Sequence, residues 1–151
     1  MDVLKILLVV FHITVAAGVL GASFGWARLL RKANAAGLPS LRVAVEHVAS
    51  RLLVLRIASF MTLFTGVGLI FTIGGFAIAP KNYHIALTVM LVAIGWNLFF
   101  LAPKVKALGA VVAADSVNAD ECSKLFGKIG MGTGVLHAVW LALLTLMYVI
   151  L

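Results

Sequence analysis

Four apolar runs constrain this chain more than any other feature. They lie at about residues 4–27, 57–79, 83–102 and 129–151. Each is close to the roughly 20 residues that carry a helix across the hydrocarbon core of a bilayer. In lipid, every backbone polar group must be satisfied within the chain, so spanning segments are helices or closed barrels. Runs this long, without an alternating polar face, predict helices. The expected fold is therefore all-α, an antiparallel four-helix transmembrane bundle in which residues 1–151 form one membrane domain. Composition agrees: 64% of residues are hydrophobic and 11% charged, against about half and about a quarter in soluble domains.

Punctuation sets the expected limits. Glycines and threonines interrupt the second run, which spanning helices tolerate. Pro80 separates runs two and three, and Pro103 is expected to close run three. On one side the helices are expected to outrun the membrane. "RLLRKANAAGLPS" ends the first helix at Gly37 and Pro39. "SLRVAVEHVASRLLVLR" makes an amphipathic approach to span two, with Arg42 and Glu46 at i,i+4 spacing. Asn118 followed by Glu121 fits a capping box opening the last helix. The apolar run from Ile6 to Trp26 exceeds the ~7–15 residues of a signal-peptide core. Asp2 offsets Lys5, so no basic leader precedes it, and the first span is expected to be retained.

The basic residues report orientation. Arg28, Arg31, Lys32, Arg42, Arg51 and Arg56 fall in or beside the first connection, and Lys104, Lys106, Lys124 and Lys128 in or beside the third. Only Lys5 and Lys81 remain for the other side, a bias of ten against two. Basic loops stay on the cytoplasmic side. Both termini are therefore expected outside, as in a multi-pass protein of a bacterial inner (plasma) membrane. The net charge of +7 is thus a topology signal, not a nucleic-acid one. The single cysteine, Cys122, has no partner for a disulfide or a zinc site.

The candidate chemistry lies in histidines. His47 sits between Glu46 and Arg51 on the charged approach and reads as solvated. His12, His84 and His137 fall inside spans, where ionisable residues are rare and are functional candidates by default. The competing reading is a neutral imidazole bonded to a hydroxyl on a neighbouring helix, for which Thr62, Thr65, Thr72, Thr88 and Thr133 are available. At ~1.5 Å per residue, His12 lies about 13 Å below the outer end of its span, His84 only a few Å and His137 about 21 Å. Two ligand pairs follow as expectations, His12 with His84 or His12 with His137, facing each other across a flat cofactor. Lys5 shares the His12 face two turns nearer the outer surface, and with Lys81 would meet haem propionates. Its bland alternative is a snorkelling interface lysine. Gly130 and Gly134 share the His137 face, where they admit either a macrocycle or a neighbouring helix. Ala17, Gly21 and Gly25 form a small-residue seam opposite His12 that is expected to pack another subunit or a second copy.

No carboxylate lies in any span, which argues against a proton-relay pump and an oxygen-ligated cation site. No Ser–His–Asp set or HExxH motif supports hydrolysis. Haem b fits best, since four-helix bundles with inward histidines hold it, and electron transfer or redox chemistry is the expected use. Copper is the alternative, with Met61, Met90, Met131 and Met147 as soft donors, although no Met-xxx-Met stripe exists. A third class is a cofactor-free structural or assembly subunit of a larger membrane complex.

A small four-span chain opening with "LKILLVVFHITVAAG", with basic inner loops and a third span starting "KNYHIALTVMLVAIGWNLFF", resembles the loose CopD-like and HemJ-like group. A histidine in the first span recurs there, and His12 is the matching position. The resemblance implies a haem-type cofactor near His12. The stretch after span one reads "WARLLRKANAAG" instead of the HemJ pattern, and the third-span lysine has no counterpart unless Lys81 or His84 takes its place. Protoporphyrinogen oxidation is therefore not carried over.

Overall fold

The computed structural model describes residues 3–114 and 117–148. The end of span four and the Met147 side chain fall outside what is described. The described residues are helical with no strands: α1 (Val3–Ser23), α2 (Trp26–Ala35), α3 (Leu38–Thr72), α4 (Lys81–Trp96), a π-helical turn (Asn97–Leu101), α5 (Ala102–Ala113) and α6 (Ala119–Tyr148). Joined end to end they give four rods long and apolar enough to cross a membrane, at Val3–Ala35, Leu38–Thr72, Lys81–Ala113 and Ala119–Leu146.

Three of the expected boundaries change. The first rod breaks at Phe24–Gly25, where Gly25 takes φ 81°. That left-handed conformation is strained for any residue with a Cβ, so Gly25 acts as a helix breaker and leaves the small-residue seam. The second rod ends at Thr72, short of residue 79, because Gly74 and Gly75 both take positive φ and turn the chain towards Pro80. Pro103 does not close the third rod, which runs on to Ala113. A proline clashes with the carbonyl four residues back. The wider π turn at Asn97–Leu101 lies on that preceding turn, where it opens the ladder and lets the helix continue. Asn118 caps α6 as expected, its Oδ1 accepting from the backbone N–H groups of Asp120 and Glu121, both at 3.1 Å.

The core is unevenly distributed. Leu30, Leu41, Val48, Leu55, Leu101, Leu108, Val112 and Ile129 are almost fully buried, and all belong to the end carrying the basic residues. There α2, the first half of α3, α5 and the start of α6 pack against one another in a closed ring. Towards the other end α1 rests chiefly on α3 and scarcely touches α6. Its remaining surface, including Leu7, Val10, Phe11 and Ile13, is exposed.

Candidate functional site

Residues 5, 8, 12, 15, 16, 19 and 22 form the stripe of α1 that turns towards α3, and His12 lies on it, half-buried. Its ring is held by two neighbours on α3. His12 Nδ1 lies 2.8 Å from Thr65 Oγ1. Gly66 provides the space: a Cβ there would lie 3.2 Å from His12 Cε1. Gly68 makes room in the same way for Leu8, since a Cβ there would lie 3.4 Å from Leu8 Cδ2.

The hydrogen-bond network favours one tautomer. A hydroxyl has one proton, and that of Thr65 goes to its own helix, with the Met61 carbonyl 2.7 Å away and the Thr62 carbonyl at 3.2 Å. With its proton there, Thr65 offers a lone pair to His12, an arrangement that favours a donating Nδ1–H. With Nδ1 protonated in the neutral ring, Nε2 carries the free lone pair. This is the arrangement by which a protein fixes an imidazole for metal ligation.

The other two histidines sit elsewhere. His137, half-buried on α6, places Nε2 2.9 Å from Ser23 Oγ at the end of α1, with its ring 5.8 Å from that of Phe24. His84, exposed in the first turn of α4, donates from Nε2 to the Phe76 carbonyl at 3.1 Å. A carbonyl only accepts, so Nε2 carries a proton. The described hydrogen bonds give each histidine a different partner: Thr65 for His12, Ser23 for His137 and the Phe76 carbonyl for His84. Ser23 is eleven residues beyond His12, so His137 engages α1 roughly 16 Å further along its axis. Phe71, which meets Phe76 edge to face at 5.6 Å, is six residues beyond Thr65. His137 meets α1 at its C-terminal residue, Ser23.

The remaining candidates divide. Lys5 is half-buried on the His12 stripe, whereas Lys81 is exposed at the start of α4. Gly130 is taken up by helix packing, since a Cβ there would lie 3.2 Å from that of Ala27; no described atom lies within 4 Å of one at Gly134. Ala17 and Gly21 are exposed, with open space beside Gly21. His47 is exposed, as expected for a solvated residue. Two surface grooves lie away from His12, His84 and His137. Among the described residues no three His, Cys, Asp or Glu side chains come within reach of one metal ion.

Three contributors escape a search for ionisable residues. Gly66 and Ser23 matter only through the helix each one faces. Asn97 is 2% exposed and neither amide atom finds a partner among the described residues; its signal is a lone carboxamide in the apolar "GWNLFF". It sits in the π turn, beside Trp96, whose indole N–H donates to the Gly132 carbonyl at 3.1 Å. Gly132 is required there, because a Cβ would lie 2.8 Å from Leu101 Cδ2 and 2.9 Å from Phe100 Cε1.

No protein-family model, curated protein or solved structure matches the chain.

Proposed function

We propose that this chain is a haem b-binding membrane protein, with His12 as the one axial ligand it supplies, serving electron transfer or redox chemistry alone or within a larger complex. The observation that carries the reading is the His12–Thr65 contact at 2.8 Å; with the ring neutral and its proton on Nδ1, Nε2 is the nitrogen available to a ligand. Haem suits an isolated histidine better than copper or zinc does. The porphyrin brings four nitrogens of its own and asks the protein for one or two, whereas a bare ion needs several side chains together. Lys5, on the same stripe of α1, is a cation for a propionate. A haem held on one side only would supply an open iron position for a small redox partner.

In this reading the helices run antiparallel, with both chain ends outside and the basic end in the cytoplasm of a bacterial cell. Two registers support the antiparallel arrangement. Leu8 meets Gly68 while His12 meets Thr65 and Gly66. Val45 meets Gly109 while Arg42 Nε donates to the Val112 carbonyl at 3.1 Å. The positive-inside bias supports the sidedness.

The deciding measurement is the absorption spectrum of protein purified from haem-replete cells. A Soret band is expected, lost in His12→Ala and kept in His84→Ala and His137→Ala. A colourless preparation overturns the proposal, and stoichiometric copper in its place selects the alternative metal.

A further inference from the structure

A groove of about 1060 Å³ lies at the basic end between α3 and α5, away from all three span histidines. Its walls carry Arg42, Arg56 and Lys106 against one carboxylate, Glu46. Arg56 stands at the end of the groove nearest the apolar span, which begins at the next residue, and shares that end with Leu52 and Leu98. Its Nε is buried and has no hydrogen-bond partner among the described residues. A buried guanidinium donor without an acceptor is costly, and a fork of N–H groups is matched in shape by a phosphate. The groove therefore joins three properties: an arginine whose Nε lacks an acceptor among the described residues, a second cation further up the wall, and an end lined by Leu52 and Leu98 beside the apolar span. Basic pockets between helices at that level are sites for anionic lipid headgroups.

We propose that the α3–α5 groove binds an anionic phospholipid, its phosphate held between Arg56 and Lys106 and its acyl chains leaving past Leu98 into the bilayer. Arg42 and Glu46, further from the membrane, face the rest of the headgroup. The site is independent of the haem reading, because it shares no residue with His12 and its test does not involve colour.

The test is native mass spectrometry of the full chain released from mixed micelles containing equal amounts of phosphatidylglycerol and phosphatidylcholine with identical acyl chains. Retention of phosphatidylglycerol over phosphatidylcholine is expected, by about fivefold for each engaged cation. Arg56→Gln and Lys106→Gln should each reduce that preference, Glu46→Gln should raise it, and Lys124→Gln on α6 should leave it unchanged. Equal retention of the two lipids by the wild-type chain overturns the proposal without recourse to any variant. So does displacement of the lipid by millimolar inorganic phosphate, which would make the site one for free phosphate. A preference that survives both Arg56→Gln and Lys106→Gln places the lipid elsewhere and also overturns it.

Discussion

Two histidine–hydroxyl pairs join helices in this molecule, and they are not equivalent. At His12–Thr65 the hydroxyl already donates to Met61 at 2.7 Å. At His137–Ser23 its nearest backbone acceptor, the Val19 carbonyl, is 3.5 Å away. The first hydroxyl, whose proton goes to its own helix, accepts from His12, which favours the Nδ1–H tautomer. The second keeps its proton available, so Ser23 can donate to Nε2 of His137 or accept from it. The surroundings differ as well. His12 lies over glycines on the seam between α1 and α3, while His137 meets Ser23 and Phe24 beside the helix break. A threonine deep in a helix and a serine at a helix end thus give the same contact opposite consequences. Only the first leaves a defined nitrogen free for a ligand.

The largest expected effect breaks the comparison outright. His12→Ala should remove the Soret band, while His137→Ala should leave it at wild-type intensity; equal loss in both would erase the distinction. Next come the glycines that set the spacing. Gly132→Ala drives a Cβ to 2.8 Å from Leu101, and overpacking of this kind costs about 1–3 kcal/mol, to be read as a lower melting temperature in detergent. Gly66→Ala has the milder clash of 3.2 Å with His12 Cε1. It should destabilise less than Gly132→Ala yet perturb the His12 ring more. Gly25→Ala, at φ 81°, should cost about 1–2 kcal/mol for the left-handed conformation and leave His12 unaffected.

The smallest effect on stability is the most specific. Thr65→Val removes the acceptor and should cost about 0.6 kcal/mol, the average for hydrogen bonds between spanning helices. Nitrogen NMR of the haem-free protein should show the His12 proton on Nδ1 in the wild type and a mixture of tautomers in Thr65→Val. Ser23→Ala should leave that spectrum as it was. A wild-type spectrum with the proton on Nε2 would remove the ligand argument at its root.

Much of the architecture is legible in single residues. The length of the apolar runs yields four helices long and apolar enough to cross a membrane, since lipid leaves the backbone no other local solution. Asn118 caps its helix as its type and position imply. Pro103 misleads because a proline's effect depends on the turn before it, and a π turn is not encoded in any local residue pattern. Gly25 misleads in the opposite sense. Its spacing from Ala17 and Gly21 suggests packing, whereas its backbone conformation ends the helix.

The candidate site was less legible, for a different reason. The sequence by itself determined that three imidazoles lie in apolar spans without a carboxylate among them, since burial of charge is costly wherever the helices go. It also determined Thr65 as one of five hydroxyls able to meet them. Only the tertiary structure decided which histidine meets which hydroxyl, because that depends on the rotation and register of one helix against another. That packing put His12 over Gly66, sent His137 to Ser23 and gave His84 a loop carbonyl. It also decided where the basic residues gather around Arg56, a groove that neither α3 nor α5 contains alone.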